Sequence, residues 1–282
     1  MRTISPIIDA KELNAIYNDD KLVIIDTSNG PGAKAAYDAK HLQGALYIDL
    51  NTQLADIKEN AADGGRHPLP AAAQFAETLA GLGISNDSHV VIYDDKNGSN
   101  AAARLWWMLR SIGHEKVQVL NGGIQAAEKE GLPVSAVAVI PKTVATYQSK
   151  GWLWPQATIA DVEQKAQDKN YSVIDVRDAY RYKGESEPID LVAGHIPGAV
   201  NIPFSGNLDE NGLFLSPQAL QEKYNAVLQD TPAQNIIVHC GSGVTACHTI
   251  LAMAHAGLEI PALYVGSWSE WSRNDKPVAK GE

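Results

Sequence analysis

The chain has 282 residues, with 23 basic against 33 acidic side chains, for a formal net charge of −10. A composition that is 45% hydrophobic and 20% charged is ordinary for globular domains and wrong for a disordered chain. The length suits two domains, with one large α/β domain as the alternative, and the acidic balance argues against a general nucleic-acid binder, which needs a basic footprint, while leaving room for a local anion site.

In chain order, β-branched runs at 23–25 and 90–93 have the length of strands and carry no polar alternation. Helical patterning covers 71–82 and 101–112. A stretch at 141–155, with proline at each end and a polar middle, reads as a linker between a domain at 1–140 and another at 156–282. Beyond it come a helix at 158–169, a strand at 173–176, a helix at 217–228, a strand at 236–239 and a helix at 245–256. Continuous apolar strands alternating with helices predict an α/β class, each domain a parallel sheet flanked by helices.

The two halves repeat one another. Ile25-Asp26 resembles Ile174-Asp175, His41-Leu42-Gln43-Gly44-Ala45 resembles His195-Ile196-Pro197-Gly198-Ala199, Tyr93-Asp94 resembles His239-Cys240, and Leu132-Pro133-Val134 resembles Lys276-Pro277-Val278. The order is kept and the spacing is nearly constant, far beyond the ~20–50 residues of a solenoid repeat, so a whole domain is duplicated. His41 and His195 occupy equivalent points of both halves, which assigns them a structural turn. No segment approaches the ~18 apolar residues of a membrane helix. The start, Met1-Arg2-Thr3-Ile4-Ser5-Pro6, has no apolar stretch of leader length. Cys240 and Cys247, the two cysteines, stand too close to form a useful disulfide framework, so reduced thiols and a cytoplasmic location are expected. The eight histidines show no metal-ligand spacing, and no metal site is expected.

The chemically loaded segment is His239-Cys240-Gly241-Ser242-Gly243-Val244-Thr245-Ala246-Cys247. A buried strand ends at Cys240, a glycine-rich loop follows, and a helix begins near Thr245. Gly241 and Gly243 permit a tight bend, so that successive N–H groups point inward as an anion nest at a helix N-terminus. A cysteine held there is expected to be largely thiolate. Ser242 and Thr245 add hydroxyl donors, and Val244 completes the cradle. An isolated cysteine is more often an inert small hydrophobe, and the loop context is what sets Cys240 apart. Cys247, further into the helix, reads as core, with a resolving thiol as the alternative. No lysine follows the glycines, against a P-loop. Ala246 stands where a cysteine-dependent phosphatase has an arginine, so the guanidinium for a phosphoryl group is missing.

The active loop Cys240-Gly241-Ser242-Gly243-Val244-Thr245-Ala246, with Arg104-Leu105-Trp106-Trp107, Gly194-His195-Ile196-Pro197-Gly198 and Gly266-Ser267-Trp268-Ser269-Glu270-Trp271, resembles the rhodanese superfamily, specifically its two-domain sulfurtransferases of the 3-mercaptopyruvate type. The resemblance implies two tandem rhodanese-like domains, the first catalytically silent because Asp94 stands in place of Cys240. It implies transfer of sulfur from 3-mercaptopyruvate through a Cys240 persulfide to an acceptor thiol, such as that of a thioredoxin-like protein, or to cyanide, without a cofactor. It further implies Arg181 as a substrate-binding arginine, His67 and Arg66 near the interdomain cleft, and Lys183 as an additional anion contact. Two alternatives remain: a thiosulfate:cyanide sulfurtransferase, or a non-enzymatic sulfur carrier or binding module. Neutral Gly241 and Ser242, where thiosulfate enzymes of the family carry basic residues, favour the keto acid. Two features depart from the mercaptopyruvate pattern. Ile189-Asp190 follows Glu187-Pro188 without a second arginine, and Asn51, two residues after Asp49, aligns with a family aspartate proposed to act with the loop serine.

Overall fold

The structure, a computed structural model, describes residues 4–229 and 231–281. The reading of the extreme start, Met1 to Thr3, lies outside them. The chain forms two compact units. The first holds residues up to Leu54 together with Pro70–Leu153 and Glu210–Phe214; the second holds Ala55–Leu69, Trp154–Asp209 and the chain from Leu215 onward. A single cut of the chain therefore does not separate them, because one short segment of each half is counted with the other unit.

In the first unit the elements are β1 (Ile7–Ile8), α1 (Ala10–Ile16), β2 (Leu22–Asp26), α2 (Ala33–Ala39), β3 (His41–Leu42), β4 (Leu46–Tyr47), α3 (Leu50–Gln53), α4 (Ala72–Gly81), β5 (His89–Tyr93), α5 (Ala101–Ser111), β6 (Val117–Leu120), α6 (Gly123–Lys129) and β7 (Val134–Ser135). Five strands form a parallel sheet in the order β1-β6-β5-β2-β4. Val90, Val91 and Ile92 of the central β5 are fully buried, each worth about 1.5–3 kcal/mol of burial. On α5, Ala101 to Leu109 are all buried, so this helix is apolar nearly all round, as a core helix must be.

The second unit holds β8 (Gln156–Ala157), α7 (Ile159–Lys165), β9 (Ser172–Asp175), α8 (Ala179–Tyr182), β10 (Val200–Asn201), a 3₁₀ turn at Phe204–Asn207, α9 (Pro217–Leu228), a 3₁₀ turn at Ala233–Asn235, β11 (Ile236–His239), α10 (Thr245–His255), β12 (Ala262–Tyr264) and α11 (Ser267–Trp271). Its parallel sheet, β8-β12-β11-β9-β10, repeats the order of the first one strand for strand. The duplication extends to a turn clamp. His41 Nδ1 bonds Tyr37 O at 2.7 Å and stacks on the Tyr37 ring, whose hydroxyl donates to Ala45 O. His195 Nδ1 bonds Tyr182 O at 2.8 Å and stacks on Tyr182, whose hydroxyl donates to Ala199 O. Both histidines are therefore turn residues.

The predicted helices and strands stand within a residue or two of their expected positions, with one exception. The helix expected over 158–169 starts on a capping box between Thr158 and Asp161 but ends at Lys165. The chain must turn before β9, and it does so through Asp168, whose carboxylate accepts from Asn170 N. No helix among the described residues is long and apolar enough to cross a membrane.

Candidate active site

The site is assembled within the second unit around the loop that leaves β11. Cys240 is buried, its thiol free of any disulfide. The chain is held behind it by α11: Cys240 N donates to Ser267 Oγ at 3.2 Å, Trp268 N donates to Cys240 O at 3.0 Å, and Ser269 N donates to Gly241 O at 2.9 Å. With those carbonyls turned toward α11, the loop amides face the other way. Among the described residues, the N–H groups of Gly241, Ser242 and Val244 donate to no backbone or side-chain acceptor. Gly243 has φ +72°, and a Cβ there would lie 2.5 Å from Val265 O, so only glycine lets the loop pass this close to the next strand. Val244 is buried beside it, and Thr245 opens α10.

The equivalent loop of the first unit shows what such amides bind. Asp94 turns its own carboxylate inward. Oδ1 accepts from Lys96 N at 2.9 Å and Gly98 N at 2.8 Å, and Oδ2 accepts from Asn100 N and Ala102 N, both at 3.1 Å. Burial pushes this carboxyl above its usual range, against the four N–H donors that pull it down. Lys96 and Gly98 stand two and four residues after Asp94, as Ser242 and Val244 do after Cys240. The first loop is thus filled by its own carboxyl group, whereas among the described residues no carboxylate accepts from the corresponding Ser242 and Val244 amides of the second.

Cations surround the second loop. A Cβ on Gly241 would lie 3.1 Å from Arg66 Nη2 and 3.5 Å from Arg181 Nη2, so the missing side chain leaves room for two guanidiniums. Arg181, on α8, is gripped by Glu187, with Nη2 to Oε1 at 2.7 Å. Burial disfavours its charge, but Glu187 and Asp190 outweigh that and hold the cation more firmly. For Glu187, burial is likewise outweighed by Arg181 and by the Asp190 and Ile189 amides, so its carboxyl sits below the usual range. Glu187 also takes Arg177 Nη1 at 3.1 Å. Arg177 reaches back to Asp175 and lies over the Trp268 ring, 4.5 Å from its centroid. Burial works against the Asp175 charge, and the paired Arg177 guanidinium overcomes it, leaving the carboxyl low; burial pushes His239 below its ordinary range. Asp190 accepts from Arg66 Nε at 3.1 Å and Arg273 Nη1 at 3.0 Å. Three arginines near the loop (Arg66, Arg181, Arg273) thus meet two carboxylates, an excess of one positive charge in a chain of net charge −10.

His67 Nδ1 and Ser242 Oγ share a hydrogen bond of 2.8 Å. The structure therefore gathers Cys240, Gly241, Ser242, Arg66, His67 and Arg181. Lys183 follows α8 with an exposed side chain and joins none of these ion pairs. Asp49 lies in the first unit, where Oδ1 caps α3 by accepting from Asn51 N and Thr52 N. Cys247 is fully buried on α10 and donates to Gly243 O at 3.3 Å. Glu187, Asp190, Arg177 and Arg273 were not singled out as site residues from the sequence. Glu187 and Asp190 were only landmarks of a missing arginine, and nothing marks Arg273, which reaches the cluster from beyond α11.

The model of the rhodanese-like domain matches residues 9–130 and again 158–274. The chain is 36% identical over 286 residues to a probable 3-mercaptopyruvate sulfurtransferase of Pseudomonas aeruginosa, covering 98% of each chain. It is 38% identical over 270 residues to the rat (Rattus norvegicus) thiosulfate sulfurtransferase, covering 92% of this chain and 88% of that one. Among solved structures, SseA of Escherichia coli, described as a 3-mercaptopyruvate sulfurtransferase with the rhodanese fold, superposes with a TM-score of 0.77 at 30% identity. That match covers 95% of this chain and 100% of SseA.

Proposed function

The chain belongs to the rhodanese family and is a sulfurtransferase, and from that premise we propose that it moves sulfur from 3-mercaptopyruvate through a persulfide on Cys240 to a thiol or cyanide acceptor. The observation that carries the proposal is the loop after Cys240, whose Gly241, Ser242 and Val244 amides have no acceptor among the described residues while two guanidiniums stand over Gly241.

The Cys240 thiolate attacks the donor sulfur. The C–S bond breaks, its electrons form the enolate of pyruvate, and the thiol proton of the donor is transferred to that carbon. Pyruvate leaves and Cys240 carries a persulfide anion. The loop amides and the N-terminus of α10 stabilise that anion. An incoming thiol or cyanide then takes the outer sulfur and returns the Cys240 thiolate. Arg181 and Arg66 bind the donor carboxylate. Ser242, aligned by His67, donates to the keto oxygen as negative charge develops on it. Lys183 has no part in this reading. Asp94 leaves the first unit without a nucleophile, so that unit is silent. Two unbridged thiols favour a reducing compartment, and we place the protein in the cytoplasm. Its physiological acceptor is a protein thiol of the thioredoxin-like kind.

Initial rates test this reading. With 3-mercaptopyruvate and a dithiol, parallel double-reciprocal lines and pyruvate release are expected, and Arg181→Lys should raise KM about tenfold or more because Lys loses the fork geometry. Turnover on thiosulfate alone would assign the rhodanese alternative, and turnover on neither would leave a carrier or binding module.

A further inference from the structure

We propose that Asp190 sets the charge of the donor: a fixed, buried counter-charge beside the nucleophile loop that admits singly charged donors and disfavours doubly charged ones. The inference rests on Cys240 being the nucleophile, and it goes beyond that reading by assigning specificity to a residue outside the active loop.

The segment after Glu187 inverts the usual pattern of burial. Ile189 and Leu191 are exposed at 54% and 72%, while the carboxylate between them is completely buried. The turn is held by Asp190 N donating to Glu187 Oε1 and by Trp268 Nε1 donating to Val192 O. Burying a carboxylate is costly unless cations and donors meet it. Oδ1 is met by Arg66 and Arg273. Oδ2 is not: it accepts no hydrogen bond, its nearest cation is Arg181 Nη2 at 3.5 Å, and it lies 3.6 Å from where a Gly241 Cβ would be. A buried carboxylate oxygen without a donor therefore faces the residue that follows the nucleophile.

An anionic donor must reach the same Arg66 and Arg181. Every negative charge it brings is attracted by them and opposed by Asp190. A monoanionic keto acid meets that opposition once, whereas a doubly charged donor such as thiosulfate meets it twice, in a site whose one excess positive charge is already balanced by the Cys240 thiolate. At separations of about 5–6 Å and an effective dielectric near 20, the opposition amounts to roughly a hundredfold to three-hundredfold per added charge.

The test compares donors of different charge in wild type and Asp190→Asn, which keeps the shape and removes the charge. Read-outs are kcat/KM for 3-mercaptopyruvate and thiosulfate, and calorimetric Kd for pyruvate and for sulfate. The proposal expects the thiosulfate-to-mercaptopyruvate ratio, and the sulfate-to-pyruvate affinity ratio, to rise at least tenfold, with Asp190→Glu keeping the wild-type ratios. Equal changes for both charges, or unmoved ratios, would overturn it, because a residue that only positions arginines affects both alike. Should Asp190→Asn fail to fold, Arg273→Gln gives the opposite sign: it strips a cation from Asp190 without removing one from above Gly241, so both ratios should fall severalfold. Ratios that stay or rise would overturn the proposal. If wild type takes sulfur from neither donor, the functional reading fails, and the two anion affinities still decide the role of Asp190.

Discussion

Gly243→Ala separates what the active loop needs from what any left-handed residue needs. Gly243 and Gly257 have nearly equal backbone angles, φ +72° and +74°. Alanine in that region costs about 1–2 kcal/mol at either position. At Gly257, which follows the end of α10, nothing lies within 4 Å of an added Cβ. At Gly243 the Cβ would stand 2.5 Å from Val265 O and 3.0 Å from Val265 Cα. These are backbone atoms and cannot rotate aside, so the loop or the end of β12 must shift by about 0.8 Å to restore a carbon–oxygen contact near 3.3 Å. Overpacking of that kind adds about 1–3 kcal/mol, and misplacing reacting groups by about 1 Å costs about a hundredfold in rate. Urea unfolding and donor turnover should therefore show Gly257→Ala destabilised by about 1–2 kcal/mol with unchanged kcat/KM. Gly243→Ala should be destabilised by about 3 kcal/mol, with kcat/KM down about a hundredfold. Equal effects of the two substitutions on turnover would refute the argument that the tight approach of the loop to Val265 sets its catalytic shape.

Two further outcomes follow from the first unit. Asp94→Asn replaces an acceptor for four backbone amides with a group that presents N–H to two of them; a loss of about 2–3 kcal/mol in urea unfolding is expected, with turnover of the folded protein intact. A collapse of turnover in folded Asp94→Asn would contradict the silent role of that loop. Burial holds His114 down to about 4, with its ring bonded to Tyr147 Oη at 2.8 Å and Ser88 O at 3.0 Å. A histidine whose folded pKa lies below its unfolded value near 6.5 contributes stability that is present above ~6.5 and is lost as the pH falls toward ~4, here about 2 kcal/mol between about pH 7 and 5. Unfolding midpoints across that range, and their flattening in His114→Gln, check this; a wild-type slope in the variant would assign the loss elsewhere.

The central strands and long helices were legible because they are long and uniformly buried. β2, β5, β9 and β11 are apolar runs with no polar face, and α5 and α10 are buried along nearly their whole length. The edge strands β1, β4, β8 and β10 have two residues each, too few for any periodicity. No strand is expected at any of the four from the sequence. The nucleophile loop was legible because a strand end, two glycines and a helix start are local in sequence. The meeting of His67 with Ser242 was not, since 175 positions separate them. Asp190 was the hardest to read. Its neighbours Ile189 and Leu191 are apolar and exposed while the aspartate is buried, the reverse of what hydropathy predicts, and only the arginines converging from Arg66, Arg181 and Arg273 explain the inversion.

Single-turnover intact-mass analysis of the reduced protein tests the central claim most directly. Offered 3-mercaptopyruvate without an acceptor, wild type and Cys247→Ser should each gain one sulfur atom, located on Cys240 by peptide mapping, and Cys240→Ser should gain none. Sulfur found on Cys247 instead, or retained in Cys240→Ser, would contradict Cys240 as the carrier.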